Sequence, residues 1–340
     1  MGLEFVDKRH LSLALENEIY EFLDRQDSSH PFQLPGWWPA DQGHCAILRD
    51  RGRIVWFAMC GVSYPSSRVL RGIRALTISH GPVCDDAEWM AEGLHCLADY
   101  CRSHSLAYLD VAAECIGPAA EALRCILSRD SWQLLTPIQT SLRLDLRADT
   151  DQMFGGFRKS TRYEIRRAER EGVLSKLAAT EGEVEDFLGV LYRMAAHKRF
   201  SPGPPGHLRH VLKWLLHGSG RGTLLLAYHD EMLIGGTAVV RVRDRCWYVW
   251  GARNEEATLN VGHLLQWHGI QWARTQGCTE YDFGGYREGS DSGPALFKKG
   301  FGGRVVHFPP ASRYIVDASL CRIANAISAA RRLPARLAAT

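Results

Sequence analysis

The chain has 340 residues, of which 46% are hydrophobic and 23% are charged. This composition is typical of a folded globular protein, and the length allows two domains of ordinary size. The net charge of +3 excludes a strongly basic protein, so any surface that binds nucleic acid must be local. The chain opens without a basic and apolar leader, and no apolar run approaches the roughly 18 residues of a spanning helix. We therefore expect a cytoplasmic protein without membrane insertion.

The ten cysteines show neither a CxxC pair nor the spacing of zinc ligands. Several lie in apolar runs, as in Trp56–Cys60. This pattern is typical of small buried residues in a reducing compartment. The histidines form no HExxH motif and no GxSxG motif occurs, so zinc hydrolysis and serine-nucleophile chemistry lack support. We expect no metal and no bound cofactor.

The first half of the chain predicts a hairpin, then a strand, a helix and a buried strand. Arg51-Gly52-Arg53 joins the first two strand-like runs, which is a hairpin signal. The predicted elements are strands at 45–50, 54–60, 74–78 and 106–111, and a helix near 87–104.

The second half repeats this order. Its predicted elements are strands at 224–228, 234–242, 246–250 and 279–283, and a helix near 261–276. Hairpin, strand, helix, strand is the core order of the GNAT acyltransferase fold, whose two central strands splay apart around a thioester or ester carbonyl. We therefore expect an α/β chain with mixed sheets. It would form two tandem GNAT-like domains, 1–148 and 149–340, without a coiled-coil insertion, and the segment from about 312 would return to the first domain.

The second predicted domain begins with a basic helix. Asp149 and Gln152 form a candidate capping box at its start. Residues 158–170 hold six basic and two acidic side chains. Such a face is either a solvated surface or a surface that meets phosphates, and both interpretations are open. The candidate phosphate-binding residues are Arg158, Lys159, Arg162, Arg166, Arg167 and Arg170.

The donor segment of the second domain departs from that of enzymes that use acetyl-CoA. GNAT enzymes of that kind carry a glycine-rich turn before the helix that follows the fourth strand, where backbone amides hold the pyrophosphate. Here residues 256–263 contain one glycine and begin with neither Arg nor Gln. A donor other than acyl-CoA is therefore expected.

Four motifs in order resemble those of the Fem family, whose members are tandem GNAT enzymes that transfer amino acids from aminoacyl-tRNA. The resemblance covers nearly the whole chain and is closest to FemX-type members. The matching segments are Pro31-Phe-Gln-Leu-Pro-Gly-Trp37, His80-Gly-Pro-Val83, Arg162-Tyr-Glu-Ile-Arg-Arg-Ala-Glu-Arg-Glu-Gly-Val173, and Asp282-Phe-Gly-Gly285 with Phe297-Lys-Lys-Gly-Phe-Gly-Gly303.

The resemblance implies a role for the lysine of the last motif. In the family this lysine lies beside the scissile ester and stabilises the oxyanion, a role that would fall to Lys298, with Phe297 packing at the reaction centre. Ester aminolysis does pass through a tetrahedral oxyanion, for which a fixed ammonium is a suitable donor. If the segment is extended, Lys299 would point away from the site.

The remaining candidate residues would bind substrate. By resemblance these are Gln33, Trp37, Arg199, Tyr248, Asp282 and Tyr286. Asp282 is also a candidate for a strand-end hydrogen-bonding residue, and Arg199 and Tyr248 are equally compatible with structural roles. No general base is evident.

The resemblance implies an aminoacyl-tRNA-dependent aminoacyltransferase, with the six phosphate-binding candidates at 158–170 as its tRNA-binding residues. We expect it to act as a monomer. Family members that act on peptidoglycan precursors carry a lysine soon after the N-terminal tryptophan, whereas Trp37-Trp38 is followed here by Pro39-Ala-Asp-Gln42. This departure favours the amine of a small peptide-like acceptor, as in peptide natural-product biosynthesis. The alternatives are a transferase that builds peptidoglycan bridges, an acyl-CoA-dependent N-acyltransferase, and a non-catalytic tandem GNAT module.

Overall fold

The computed structural model describes residues 2–63, 74–136, 139–257, 259–323 and 325–326. Within them the chain divides into two compact units. The first unit draws its described residues from Met1–Pro35, Ala40–Gln139 and Phe308–Thr340. The second comprises Gly36–Pro39 and Thr140–His307.

The described strands of the first unit form one sheet of seven, in the order β1-β2-β3-β4-β5-β14-β6. The strands are β1 (Glu4–Asp7), β2 (His44–Asp50), β3 (Arg53–Ser63), β4 (Ala75–Ser79), β5 (Tyr108–Ala112), β6 (Trp132–Thr136) and β14 (Ala311–Ile315). The helices are α1 (Leu13–Leu23), α2 (Ala87–Ser103) and α3 (Gly117–Leu127). β4 and β5 are parallel, joined through α2.

The described strands of the second unit form another sheet of seven, in the order β13-β7-β12-β11-β10-β9-β8. The strands are β7 (Gln139–Asp145), β8 (Leu174–Leu177), β9 (Gly222–His229), β10 (Met232–Val242), β11 (Arg245–Arg253), β12 (Glu280–Gly285) and β13 (Arg304–Phe308). The helices are α4 (Thr150–Gly156), α5 (Lys159–Arg170), α6 (Glu181–Lys198), α7 (Pro205–Leu216), α8 (Gly262–Thr275) and α9 (Gly293–Lys299).

The predicted repeat is present. Each unit contains a hairpin (β2-β3, β9-β10), a further antiparallel strand (β4, β11), a helix (α2, α8) and a strand parallel to the last (β5, β12). Both hairpin turns place two residues in the left-handed region, Arg51 with Gly52 and Asp230 with Glu231. This conformation suits a two-residue turn because its twist matches that of the flanking strands.

The units do not divide at residue 148. β7 leaves the first unit because it pairs with β12, through Leu144↔Tyr281 and Arg143↔Asp282. In return, β14 lies between β5 and β6 of the first sheet, so the closing segment joins the first unit from Phe308. The part of that segment at 324 and 327–340 lies outside the described residues.

The helices begin where their capping residues predict. Asp149 accepts a hydrogen bond of 2.8 Å from the backbone amide of Gln152 at the start of α4. Thr180 and Glu183 form a reciprocal capping box on α6, which is 18 residues long. Among the described residues no helix is longer than α6. None there has both the length and the hydropathy that a membrane crossing requires.

Candidate active site

The two parallel strands of the second unit separate after a short paired stretch. Arg245, Cys246 and Trp247 of β11 pair with the segment Glu280–Asp282 of β12. Beyond this point β11 runs on to Arg253 and β12 to Gly285 without further pairs in the register. Backbone groups at the carboxyl end of β12 are therefore available to other partners, at the edge where ligands bind in sheets with parallel strands.

Asp282 fixes the turn that ends β12. It is fully buried, and its carboxylate accepts hydrogen bonds from Ser141 Oγ, from Arg143 Nε at 2.8 Å and from the Gly284 amide at 2.8 Å. Gly284 lies in the left-handed region with φ 68°, which glycine adopts without strain. Asp282 therefore has a structural role in which it orients the Gly284-Gly285 turn. This differs from the substrate-binding role expected from the sequence.

Arg143, the partner of Asp282, is 2% exposed and lies on the neighbouring strand β7. Burial lowers the pKa of its guanidinium, and the Asp282 carboxylate opposes this change. A buried charge pair of this kind is costly to break, because removing one partner leaves the other charge without compensation.

Phe297 and Lys298 lie in the helix α9, and this corrects the expectation of an extended loop. The residue before the helix, Ser292, has an extended backbone, and Pro294 occupies the first turn, where its fixed φ and missing N–H are tolerated. The helix ends at Gly300, where a Cβ would lie 2.3 Å from Thr161 Oγ1, so only glycine fits. Lys299 is exposed because each helical residue turns about 100° from the last.

The Lys298 ammonium lies at the open end of β12. Its Nζ donates a 2.7 Å hydrogen bond to the carbonyl oxygen of Gly285. Burial lowers the pKa of Lys298 from 10.5 to about 8, and the Asp282 carboxylate partly opposes that change. An ammonium has three donors, and the described residues accept from one of them, so two remain for a ligand.

The ring of Phe297 covers the first turn of α8. A Cβ at Gly262 would lie 3.4 Å from Phe297 Cε2, and the His263 and Phe297 rings are 4.8 Å apart between centroids. Burial lowers the pKa of His263 to about 4, so its imidazole is neutral near pH 7. Thr258, within the 256–263 segment singled out in the sequence, lies outside the described residues.

Tyr248 and Arg199 remain candidates for substrate contact. Tyr248 follows the paired stretch of β11, and its side chain extends along the strand towards Gly251, where a Cβ would lie 2.3 Å from Tyr248 Oη. Burial raises the pKa of Tyr248 to about 12, so the phenol stays neutral and can donate a hydrogen bond. Arg199 is exposed, in the left-handed conformation that ends α6.

Three other predicted residues are buried in structural positions. Both ends of the Gln33 amide bond backbone groups of the first unit, Ser79 O at 2.8 Å and Met59 N at 2.7 Å. Trp37 is 2% exposed and stacks on Trp250 within the second unit, with centroids 5.1 Å apart. These contacts assign packing roles to Gln33 and Trp37 in place of substrate contacts.

Tyr286 is the third of these residues. It is 8% exposed and belongs to the core of the second unit. Its backbone amide donates a 2.9 Å hydrogen bond to Thr140 O, and Thr140 Oγ1 donates to its carbonyl oxygen. The pairing of β7 with the end of β12 therefore holds Tyr286 in the core.

The six candidate tRNA-binding residues lie on or directly before α5. Within the described residues none of the six forms an ion pair with a carboxylate, and Arg158, Lys159, Arg166 and Arg170 are exposed. Arg162 differs, because its guanidinium donates hydrogen bonds to the carbonyl oxygens of Gly155 and Phe157 at the end of α4. Arg166 also lies over the Phe154 ring, 5.2 Å from its centroid.

Four residues at this site escaped the sequence analysis: Ser141, Arg143, Gly285 and His263. Arg143 lies between Leu142 and Leu144 in β7, so alternation predicts an exposed side chain for it, whereas the structure buries Ser141, Leu142 and Arg143 in succession. Gly285 contributes only its carbonyl group, which no side-chain pattern reveals. His263 stands in the first turn of α8, where burial depends on the distant Phe297.

Comparisons with known proteins agree with this architecture. A sequence model of the acetyltransferase (GNAT) domain matches residues 155–299. The search of curated proteins found no match. The structure of FemX is similar with a TM-score of 0.75 and 15% identity, covering 95% of this chain and 99% of that chain.

Two further solved structures share the fold. L-PGS from Bacillus licheniformis has a TM-score of 0.58 and 11% identity, covering 94% of this chain and 96% of that one. A tandem GNAT protein from the clavulanic acid biosynthesis pathway has a TM-score of 0.57 and 16% identity, covering 93% and 99%. The predicted fold, two tandem GNAT-like domains of the kind found in FemX, is therefore confirmed. The likenesses and the domain match support an acyltransferase.

Proposed function

We propose that the protein is an aminoacyl-tRNA-dependent aminoacyltransferase. It joins the amino acid of a charged tRNA to an amine of a small peptide-like acceptor through a peptide bond. The observation that carries this proposal is the ammonium of Lys298, anchored by Gly285 O at the open end of β12 with two donors free. We further propose that it acts as a monomer in the cytoplasm, without a metal or ATP of its own.

The chemistry is the aminolysis of an ester. The uncharged acceptor amine attacks the ester carbonyl of the aminoacyl group, and the carbonyl oxygen becomes an oxyanion. The C–O bond to the tRNA ribose then breaks, and the ribose oxygen leaves with the proton that the attacking nitrogen gives up. Lys298 donates to the oxyanion, and one donor of this kind typically lowers the barrier by about 3 to 4 kcal/mol.

The first turn of α8 argues for a donor other than acyl-CoA. Backbone amides at such a helix start can bind a pyrophosphate only if it can approach them. Here the Phe297 ring packs over Gly262 and beside His263, and residues 259–262 hold a single glycine. These features weigh against the acyl-CoA alternative.

The exposed cations of α5 support a polyanionic donor. Arg158, Lys159, Arg166 and Arg170 pair with no carboxylate among the described residues, so they can exchange bound counterions for phosphates. Tyr163, 54% exposed, lies among them on the same helix and offers an aromatic face to an unstacked base. An acyl-CoA would need fewer cations than this.

The acceptor proposal depends on the N-terminal segment. Trp37 is buried against Trp250, and the residues that follow it, Pro39-Ala-Asp-Gln42, include no lysine for a diphosphate. A peptide amine in natural-product biosynthesis therefore suits the chain better than a peptidoglycan precursor, which remains the alternative acceptor.

The experiment is a donor competition. The purified protein is incubated with an amine and either a mixed pool of charged tRNA or acetyl-CoA, and the amide products are identified by mass spectrometry. We expect aminoacyl amides from the tRNA pool and no acetyl amide. Acetyl amide with stoichiometric release of free thiol, and no tRNA discharge, would refute the proposal.

A further inference from the structure

Two histidines and a glutamate of the first unit meet at the carboxyl ends of its parallel strands. His80 directly follows β4, Glu114 lies two residues after β5, and His30 precedes the short helical turn Pro31–Gln33. Their side-chain nitrogen and oxygen atoms lie within 4.8 Å of one another. His80 Nδ1 is 2.6 Å from Glu114 Oε1, and His30 Nε2 is 3.7 Å from Glu114 Oε2.

The contacts assign the protons of both rings. His30 Nδ1 accepts a 3.2 Å hydrogen bond from the Phe32 amide, so its proton is on Nε2, facing Glu114. The Glu114 carboxylate accepts from His80 Nδ1–H, which leaves the lone pair of His80 on Nε2. No described residue bonds that nitrogen, and the His80 side chain is 30% exposed.

The backbone around His80 is held in place. His80 lies in the left-handed region with φ 56°, a conformation that costs energy in residues other than glycine and recurs at functional sites. The residues on either side contact the buried Gln33: its amide bonds Ser79 O, and a Cβ at Gly81 would lie 2.5 Å from its Cδ. The Phe32 ring packs edge-on against His80, with centroids 4.4 Å apart.

The ring geometry disfavours a metal ion. The His30 and His80 rings are stacked, with centroids 4.0 Å apart and planes 8° apart. Nitrogen lone pairs lie in the plane of the ring, so those of two parallel rings cannot converge on one ion at the roughly 2.0–2.1 Å of a zinc bond. The arrangement matches instead a carboxylate that orients an imidazole and stabilises its protonated form, as in catalytic triads.

We propose that His80 is a catalytic base that receives a proton from a primary ammonium group of the acceptor, with Glu114 as its positioning residue. The ammonium proton moves to His80 Nε2, the amine nitrogen regains its lone pair, and the imidazolium keeps its Nδ1–H bond to Glu114. This inference rests on the proposed function for its amine, which must lose a proton before its nitrogen can attack an ester.

Two acceptors that differ only in the need for a base provide the test. Glycinamide is mostly protonated at pH 7, like other α-amino groups, whereas hydroxylamine is already uncharged. His80→Asn removes the base and suits the left-handed backbone. We expect it to lower transfer to glycinamide at pH 7 by up to about 10-fold, since roughly a tenth of an α-amino group is already uncharged there, and to leave transfer to hydroxylamine nearly unchanged. Glu114→Gln should show the same selectivity, and the exposed His95→Gln should affect neither acceptor. Equal losses with both acceptors would overturn the inference.

A second measurement does not depend on turnover or on a variant that folds. Diethyl pyrocarbonate acylates unprotonated imidazole nitrogens, and mass spectrometry identifies the modified histidines of the native protein. We expect His80 to react and glycinamide to protect it, while the exposed His95 reacts equally with and without glycinamide. An unreactive or unprotected His80, or its protection by zinc alone, would overturn the inference. If the wild type transfers to neither acceptor while glycinamide still protects His80, the proposed donor fails and the amine site stands.

Discussion

Lys298 Nζ donates its 2.7 Å hydrogen bond to Gly285 O, the last residue of β12, while Asp282 of the same strand is fixed by Arg143. The position of the ammonium therefore depends on a turn whose geometry is set by a buried charge pair. The same carboxylate favours the charged form of Lys298, against the effect of burial. Asp282 thus influences both the position and the charge of the Lys298 ammonium, which is the proposed oxyanion donor.

The pH dependence of transfer follows from the lysine. Burial brings the pKa of Lys298 to about 8, and only the protonated form can donate to an oxyanion. We expect the rate at saturating substrates to fall as the pH rises through about 8. In Lys298→Arg the charge persists to much higher pH, so the fall should disappear from this range. A pH–rate profile of both proteins checks this, and an unchanged alkaline fall in the arginine variant would assign it to another group.

Asp282→Asn tests the link between the turn and the lysine. Losing the carboxylate removes the nearer of the two carboxylates that pair with the buried Arg143, since Glu280 lies 3.8 Å away, so we expect the free energy of unfolding in urea to fall by about 3 kcal/mol. The pKa of Lys298 should fall further, because only burial still acts on it, and the alkaline fall in rate should move to lower pH. The exposed Asp291→Asn, in the loop before α9, is the control and should change neither property. A destabilised variant whose pH–rate profile is unshifted would show that the Arg143–Asp282 pair does not influence the pKa of Lys298.

The basic face of α5 predicts a salt-dependent affinity. Arg158, Lys159, Arg166 and Arg170 can be reversed to glutamate without touching Arg162, whose bonds to α4 carbonyl groups make it unsuitable for the test. We expect weaker tRNA binding and a shallower slope of affinity against salt between roughly 50 and 200 mM, by nearly one unit for each phosphate that the helix no longer binds. Filter binding measures both. Reversal of the exposed Arg124 on α3 and of Arg129, two residues after α3 ends, is the control. Equal effects for each reversed charge in the two sets would show that tRNA does not bind the α5 face specifically.

Phe297→Ala tests the covered start of α8. Removing the ring exposes Gly262 and the neighbouring amides, so we expect weak binding of coenzyme A that the wild type lacks. The same change should lower the transfer rate, since Phe297 packs the helix α9, which carries Lys298, against the core of the second unit. Calorimetric titration with coenzyme A provides the measurement, and tight binding by the wild type would contradict the proposed donor class.

The sequence alone predicts the repeated order of strands and helices, but it does not predict the geometry of the candidate active site. Each hairpin has its strand-like runs and its turn within about 20 consecutive residues, so local alternation reveals it. Asp282, in contrast, is defined by Ser141 and Arg143, about 140 residues earlier in the chain. The turn of helix that carries Lys298 has seven residues in a glycine-rich stretch, too short for an amphipathic period to show. Trp37 and Gln33 match a motif, and only their packing reveals that they are structural.

Lys298→Met separates stability from catalysis. Because its pKa in the folded state is lowered from 10.5 to about 8, the charged lysine destabilises the fold below pH 8, and this cost vanishes as the pH rises towards 10.5. The methionine variant should therefore be at least as stable as the wild type at pH 7, as judged by thermal unfolding. A markedly unstable variant would mean that the Gly285 hydrogen bond outweighs the cost of burying the charge.

The most direct measurement is the single-turnover rate of ester cleavage from charged tRNA at saturating enzyme, for wild type, Lys298→Met and Lys299→Met. We expect the lysine 298 variant to cleave about 100- to 1,000-fold more slowly with unchanged tRNA affinity, because the ammonium acts when the oxyanion forms. The exposed Lys299 should be dispensable. A near-normal rate in Lys298→Met, or a larger loss in Lys299→Met, would contradict the proposed role of the Lys298 ammonium.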